Sequence, residues 1–523
     1  MRPTFLGFET ARSALNLNQK QLDIVGQNLA NINTAGYTRQ RVNSAAVAPS
    51  TYSTRVASAT TDLAGQGVEM TGVSQTRDAF LDKRFRDEYA DSSYYIQTSS
   101  MLSDIQSALG DASDITEGGN VIASAIQQMY TALNNYADQP TSTPIANLVL
   151  SSFTNMTQVL QKVNSDLDNV ANQQSYDLQV SVDKVNTTLQ KIAQLNEQIS
   201  GDAATALHTS GSSNDQPNEL LDQRNLLLDD LASYGNISVT TESDGAITVE
   251  MGGHPVVSGT DYDKVQMNTD SQSGAVTLSW RSSGDLTQFS SGALKAYTDV
   301  LNGRGANVQN PGETSVQGIL YYKDRLNTMA QTFANVVNNI VPEMEGTSGQ
   351  MTQKIDANGN KVYKTLIAAK QADGTTDANS IITAANISVS DEWTSGEADY
   401  LFSDPGSLNN ASYAEQLSTA LTGSDTTFNS YGETFNGTFE EYLIDYTGKV
   451  GTDTSYYNNL QTVSSSVSNE LLDRRDSVSA VQMDEETTNM MTYQKSYNAA
   501  ARLMTVLDDM LDKLINGTGE VGR

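Results

Sequence analysis

The chain has 523 residues and a formal net charge of −31, from 62 acidic and 31 basic residues. So acidic a surface repels nucleic acid and anionic lipid, and neither is expected as a partner. It contains no cysteine, which excludes disulfide frameworks, thiolate metal sites and cysteine nucleophiles.

No apolar run approaches the ~20 residues that a membrane-spanning helix needs, so membrane insertion is not expected. The first residues, MRPTFLGFETARSAL, lack the long apolar core and the small-residue cleavage site of a secretory signal. We therefore expect any export of this chain to proceed without a cleaved signal peptide.

The N-terminal segment carries a heptad pattern over four repeats with one polar interruption, at Phe8, Ala11, Leu15, Asn18, Leu22, Val25, Leu29 and Ile32. This spacing predicts a helix with a narrow apolar seam for another helix. Gly36 suits the left-handed position after a helix end, so we expect the helix to stop near Asn33 or Thr34.

The middle of the chain is mostly helical in pattern. No Gly or Pro occurs from Ile145 to Ser200, and the 3/4 apolar spacing shifts phase near Gln174, which predicts one long helix with a stutter. A shorter helix is expected from Pro217 to Leu231, with Asp215 as its N-cap. Another heptad helix is expected from 319 to 340, ending before Pro342.

Strand signals appear in two places between these helices. Alternating residues on both sides of Asp244-Gly245 predict a hairpin, and a second turn is expected at Ser273-Gly274. Residues 346–434 are rich in Gly, Ser, Thr, Asp and Asn with weak periodicity. We expect them to form an inserted outer domain, mainly β or irregular.

The C-terminal segment mirrors the N-terminal one, with four heptads at Met490, Tyr493, Tyr497, Ala500, Met504, Leu507, Leu511 and Leu514. The pattern ends at Asn516-Gly517, a natural helix stop. Two short heptad helices at opposite ends are natural partners for each other. Taken alone, however, apolar stripes at helical spacing more often indicate an ordinary internal core.

No catalytic, cofactor or metal site is predicted. The only histidines, His208 and His254, lie in Gly/Ser-rich or turn-like contexts far from a matched partner. Residues from Asp356 resemble the start of a calcium loop, but its twelfth position is Ile367 where a Glu is required. A hairpin turn between Ile355 and Val362 explains that segment better.

Residues 14–39, ALNLNQKQLDIVGQNLANINTAGYTR, closely resemble the N-terminal signature of the flagellar rod, hook and hook-associated proteins. The stretch from Asp484-Glu485-Glu486 to Ala500 resembles the matching signature at the family's other end. Residues 218–231, NELLDQRNLLLDDL, are similar to a stretch of the hook-associated branch. The resemblance covers roughly residues 4–260 and 315–516, and it leaves 346–434 unmatched.

The resemblance implies a structural subunit that joins hook to filament, not an enzyme. It implies export through the flagellar type III apparatus with a chaperone, and assembly into a helical ring between hook protein and a second hook-associated protein. The localisation implied is the extracellular flagellum. The implied assembly residues are Phe8, Leu15, Leu22, Val25, Asn28, Leu29, Asn31, Ile32, Gly36, Tyr37, Met490, Tyr493, Tyr497, Ala500, Met504, Leu507, Leu511 and Leu514.

Two alternatives stay open. One is a different flagellar axial protein, a hook or distal rod subunit, which the helical middle argues against. The other is a secreted coiled-coil adhesin. The expected fold is mainly α with β insertions. Its expected parts are a terminal coiled-coil domain (1–38 with 484–523), a helical bundle (39–235, 288–345 and 435–483), a β-hairpin region (236–287) and an outer β-rich domain (346–434).

Overall fold

The computed structural model describes residues 6–517, except 48–66, 111–119, 211–216, 271–273, 307, 309, 311, 348–349, 396–400, 404–409 and 431. Its helices are α1 (Leu6–Ala30), α2 (Ala79–Leu109), α3 (Val121–Asp138), α4 (Thr143–Ser210), α5 (Asn218–Tyr234), α6 (Ala293–Leu301), α7 (Ile319–Asn338), α8 (Asp391–Ser395), α9 (Ser412–Thr422), α10 (Phe439–Ser479) and α11 (Met483–Asn516). The chain is therefore mainly α, as the sequence predicts.

The strands form small antiparallel sheets between the helices. They are β1 (Gln40–Ala46), β2 (Val68–Gln75), β3 (Ile237–Thr241), β4 (Ile247–Met251), β5 (His254–Ser258), β6 (Asp261–Tyr262), β7 (Val265–Thr269), β8 (Val276–Trp280), β9 (Met344–Thr347), β10 (Gln350–Gln353), β11 (Ile367–Lys370), β12 (Thr376–Asp377), β13 (Ile387–Val389), β14 (Thr427–Ser430) and β15 (Glu433–Asn436). The largest sheet has the order β3-β4-β5-β6.

Helix α4 is the backbone of the main core. Its apolar stripe packs against α2, α3, α5, α6 and α7, and the stripe is buried at Val149, Phe153, Met156, Leu160, Val163, Leu167, Leu178, Val182, Val185, Leu189 and Ile192. The predicted stutter is confirmed at Gln174, which is buried in this stripe and donates from Nε2 to Asp104 Oδ2 at 2.6 Å. A buried polar residue thus lies at the point of α4 where the spacing of the apolar residues changes.

Side-chain caps fix where several bundle helices begin. Asp78 accepts the backbone N–H of Phe80 at the start of α2, and Asn120 accepts that of Ile122 at the start of α3. Thr438 and Glu441 form a reciprocal capping box at the start of α10. These polar residues set the register in which the apolar faces meet.

A long pair, α2 with α10, connects the bundle to the terminal helices, and its seam is largely polar. Ser92 Oγ lies 3.1 Å from Ser465 Oγ, and Ser464 Oγ donates to Glu88 Oε1 at 2.7 Å. Ser99 donates to Asn458 in the same seam. Close packing here depends on small hydroxyl side chains more than on large apolar ones.

Both predicted hairpins are confirmed. β3 pairs with β4 around Asp244-Gly245, and β7 pairs with β8 through Gly274, while Ser273 lies outside the described residues. Gly245 and Gly274 have φ of 85° and 69°, the left-handed region that glycine adopts without steric cost. The turn after Asp356 is also confirmed, because its carboxylate accepts the N–H groups of Asn358 and Asn360.

The structure differs from the expected boundaries or contents at four places. Helix α1 ends at Ala30, before Asn33, since the chain turns there through Thr34 N–H to Asn31 O. Helix α5 begins at Asn218 with Pro217 before it, and Asp215 lies outside the described residues. Residues 40–46 and 68–75, expected within the helical bundle, pair as β1 and β2. The segment 346–434 includes the helices α8 and α9 beside its strands.

Candidate assembly interface

The two terminal helices lie side by side, as the paired heptads predict. Helices α1 and α11 make an extensive contact, in which a Cβ added to Gly7 would lie 3.1 Å from Leu507 Cδ1. Within the seam Ala11, Val25 and Ala500 are buried. The rest of the predicted apolar seam is only half-buried up to Leu511, and Leu514 is exposed.

Helix α1 also uses a second face that the heptad analysis missed. Ile24 is buried against Val42 of β1 and Val73 of β2, with Leu17 packed alongside. Ile24 and Leu17 are seven residues apart and next to the predicted seam, so a wider stripe of period 3.6 would have found them. The small β1-β2 sheet therefore packs on a face of α1 beside the one that contacts α11.

The signature asparagine Asn28 is the centre of a buried hydrogen-bond network. Its Nδ2 donates to Gln40 O at 3.0 Å and to Glu486 Oε2 at 3.2 Å. Its Oδ1 accepts the Tyr37 hydroxyl at 2.8 Å and the Gln40 N–H at 3.1 Å. All the hydrogen-bonding groups of this carboxamide are thus used to join α1, the chain that leaves it and α11.

Tyr37 returns the chain onto helix α1 after Gly36. Gly36 has φ of 78°, which a side chain rarely adopts, so a glycine is required at this exit. Burial, with the charges of Asp222, Glu219 and Glu486, raises the pKa of Tyr37 far above its ordinary value. The phenol therefore stays a hydrogen-bond donor at every physiological pH.

Two acidic residues of the C-terminal signature hold Arg39. Arg39 Nε lies 3.0 Å from Glu486 Oε1 and Nη1 lies 2.5 Å from Glu485 Oε2, while its backbone N–H donates to Ser479 O at 2.8 Å. Glu486 is buried and also meets Asn28. The acidic start of α11 thus joins the two chain ends.

The side chains of Asn28, Tyr37, Arg39 and Glu486 form a network that we call the polar hub, and Asp222 of helix α5 contacts the same segment of chain. Its Oδ2 accepts the Thr38 N–H at 3.2 Å, and its Oδ1 accepts Gln75 Nε2 at 2.8 Å. Burial raises the pKa of Asp222, and the hydrogen bonds from Thr38 act in the opposite direction. The segment 218–231, singled out in the sequence, therefore contacts the signature segment directly.

Most of the predicted assembly residues lie on the paired helices α1 and α11 or in the turn that follows α1. Asn31 donates to Gln27 O at 3.0 Å, and Ile32 lies beyond the last residue of α1, so it does not continue the helical seam. Arg39, Gln40 and Asp222 were not predicted as site residues. Single charged residues such as Arg39 and Asp222 leave no periodic signal in one sequence. The acidic residues in the C-terminal signature were the one hint that a basic partner lies near them.

A neighbouring face of α11 carries exposed apolar side chains. Leu503 and Val506 are each 47% exposed, and Met510 is 62% exposed. Their spacing of three and four residues puts them on one stripe of the helix. This stripe lies outside the pair that α11 forms with α1.

The described residues contain no group of three or more His, Asp or Glu side chains that could bind a metal, and none of their helices is both long and apolar enough to span a membrane. His254 corrects the sequence interpretation: it begins β5, stacks on Trp280 at 4.5 Å and places Nε2 2.9 Å from Asp263 Oδ2. His208 lies within α4, not in a turn. No serine or threonine nucleophile is positioned beside His254 among the described contacts.

Three family models match this chain in succession. Residues 8–38 match the family described as flagella basal body rod protein, and residues 475–517 match the flagellar basal body rod FlgEFG protein C-terminal family. Between them, residues 102–355 match the flagellar hook-associated protein FlgK helical domain.

Full-length relatives agree with these matches. The chain is 29% identical over 556 residues to flagellar hook-associated protein 1 of Bacillus subtilis, covering 100% of both chains. It is 24% identical to the protein of that name from Salmonella typhimurium, over 97% of this chain and 98% of that one. The solved flagellar hook junction protein FlgK from Burkholderia pseudomallei shares the fold, with a TM-score of 0.50 at 14% identity over 76% of this chain and 100% of that chain.

The signatures at both ends, the helical domain between them and the relatives that match along the whole length all agree. Along its whole length the chain is similar to flagellar hook-associated protein 1, and these similarities indicate a flagellar hook-associated structural protein.

Proposed function

We propose that this chain is the subunit that joins the flagellar hook to the filament. It is exported unfolded through the flagellar type III apparatus, with a chaperone and without cleavage. It adds at the distal end of the hook, forms a helical ring with other copies, and presents a surface to a second hook-associated protein above. The names of its relatives, which include a hook junction protein, support this role.

The exposed stripe of α11 is the observation that carries the proposal. Leu503, Val506 and Met510 are solvent-exposed in the single subunit, although α11 already has α1 as a partner. Contiguous exposed apolar surface marks an interaction site. Copies arranged around a tube can bury this stripe, which makes polymerisation favourable without any further chemistry.

The junction role is tested in a strain that lacks this gene, by electron microscopy of the cells and a blot for flagellin in the medium. We expect bare hooks and abundant monomeric flagellin outside the cells, because filament subunits are exported but have no template. Cells without hooks would indicate that the chain is a subunit of the rod or the hook instead. Intact swimming cells would favour the adhesin alternative.

The terminal seam is tested with Leu22→Asp and Met504→Asp, which place a carboxylate against the partner helix. We expect neither variant to enter the flagellum, because burying an unpaired charge costs several kcal/mol. Asn498→Asp is the matched control, since residue 498 is exposed on α11 and tolerates the same charge. Normal motility of both seam variants would contradict the assignment of these residues.

Assembly is proposed to order the terminal helices. An isolated helix of this length is marginal in water, and the pair buries few side chains fully. Hydrogen exchange of the free subunit is expected to show weak protection in α1 and α11 and strong protection in α4. Equal protection in all three helices would contradict the coupling of order to assembly.

A further inference from the structure

A cavity of about 720 Å³ opens between the bundle and the four-stranded sheet, with walls from α2, α4, α5, β3 and β4. Its size falls in the range of small-molecule sites. Much of its wall is apolar, formed by Ile199, Leu221, Leu228, Ile237, Val239 and Ile247. The hub around Asn28 does not share these wall residues.

One wall of this cavity carries a buried cation, Arg224. The residue is 6% exposed and lines the cavity. Its Nη1 donates to Asn196 Oδ1 at 2.9 Å and to Gly245 O at 2.8 Å, which are both neutral acceptors. Its Nε is buried and has no hydrogen-bond partner among the described residues. The guanidinium is therefore held in place but its charge is not balanced by these contacts.

The carboxylates near the cavity are already engaged elsewhere. Asp82 pairs with Arg77 at 2.6 Å, and Asp229 pairs with both Arg86 at 2.7 Å and Arg475 at 2.6 Å. Asp244 accepts the Ala246 N–H. In the part of the chain that the structure describes, no carboxylate lies within ion-pair distance of Arg224.

The electrostatics of the cavity favour a negative guest. Among its charged lining residues, Arg86 is paired with Asp229 and Asp82 with Arg77, which leaves two cations, Lys83 and Arg224, against the single carboxylate of Asp244, although the chain as a whole carries a net charge of −31. Burial, and secondly the charge of Arg86, lower the pKa of Arg224 to about 10. A buried cation without a counter-charge is costly, and a bound anion removes that cost.

We propose that this cavity is a binding site for a small organic carboxylate with an apolar body. The carboxylate pairs with the guanidinium of Arg224, which suits planar two-oxygen groups, and the apolar body lies against Ile199, Leu228 and Ile247. This inference goes beyond the structural role and does not depend on it, because the walls belong to the bundle and the sheet.

The test is isothermal titration calorimetry of the full chain with hexanoate, and with hexanamide as the neutral isostere. We expect hexanoate to bind and hexanamide to bind at least tenfold more weakly. Arg224→Gln should abolish hexanoate binding, and Arg281→Gln, at an exposed arginine, should leave it unchanged. Ser238→Trp, at the exposed rim of the cavity, should also block binding while leaving the Arg224 contacts intact.

The outcomes are distinct. Loss of binding in Ser238→Trp with normal circular dichroism supports the site even where Arg224→Gln does not fold. Equal binding of hexanoate and hexanamide overturns the role of the charge. Absence of hexanoate binding to the wild-type chain, or unchanged binding in both cavity variants, overturns the site itself. Inorganic phosphate is titrated in parallel. Tighter binding of phosphate than of hexanoate would contradict the proposal that the ligand has an apolar body.

Discussion

The bundle helix α4 and the terminal pair α1 and α11 have similar apolar spacing but different burial. Along α4, residues such as Leu160 and Leu189 are 0% exposed, whereas Leu503 and Met510 on α11 are 47% and 62% exposed. Spacing therefore predicts that a helix has an apolar face, but not whether its own chain covers that face. Where the chain leaves such a face exposed, a partner is required.

The largest expected effect contrasts one leucine from each region. Leu160→Ala should lower the free energy of unfolding by about 3 kcal/mol, because it leaves a cavity in a packed core. Leu503→Ala should change it by less than about 0.5 kcal/mol in the free subunit, since that side chain is half exposed. Urea unfolding followed by circular dichroism measures both. Equal losses would show that the two regions do not differ in the free subunit.

A pH-dependent effect should belong to the bundle. Burial raises the pKa of Asp324 to about 6. The positive charges of Arg304 and Lys323 act in the opposite direction, and the negative charge of Glu313 adds to the increase. Since the folded-state pKa exceeds the unfolded one, ionised Asp324 costs stability at neutral pH, and this cost disappears as the pH falls through about 6.

Asp324→Asn removes that titration and serves as the measurement. The free energy of unfolding of the wild type relative to the variant should rise by about 2 kcal/mol from about pH 8 to about pH 4.5. Urea unfolding at several pH values gives this difference. A constant difference over that range would mean that Asp324 has an ordinary pKa in the folded chain.

The smallest expected effect compares the starts of α10 and α11. Thr438→Ala breaks a capping box and should cost about 1 kcal/mol of unfolding free energy. Gln482→Ala should cost less than about 0.3 kcal/mol, because Gln482 makes no side-chain cap hydrogen bond at the start of α11. Thermal unfolding of both variants is the check. If Gln482→Ala lost more unfolding free energy than Thr438→Ala, the start of the terminal helix α11 would be the better capped of the two, contrary to this prediction.

Much of the helical architecture could be predicted from the sequence, because long stretches without Gly or Pro and with 3.6-residue periodicity have few alternatives. The stutter at Gln174 and both hairpin turns are of this kind. The pairing of β1 with β2 could not be predicted, because its residues alternate weakly and their apolar side chains pack against residues of a face of α1 that the heptad pattern does not mark.

The helices of the candidate interface could be predicted from the sequence, but the polar contacts that join them could not. Heptads identify which residues of α1 and α11 are apolar, but they say nothing of Arg39 or Asp222, whose partners are distant in sequence. Helix α1 ended three to four residues early because polar turns after Ala30 compete with the helical hydrogen bonds. Such competition depends on what surrounds the segment.

The hydrogen bond between Asn28 and Glu486 joins residues 458 positions apart, and this separation has a consequence for the order of folding. Closing a flexible loop of that length from a disordered chain costs about 5 kcal/mol of entropy. Once α2 and α10 have paired, only residues 31–78 and 480–482 lie between that pair and the terminal helices, so the loop to be closed is much shorter and its entropic cost falls to about 3.5 kcal/mol. We therefore expect the terminal contact to form last, with substitutions at Asn28 changing the unfolding rate and leaving the refolding rate nearly constant.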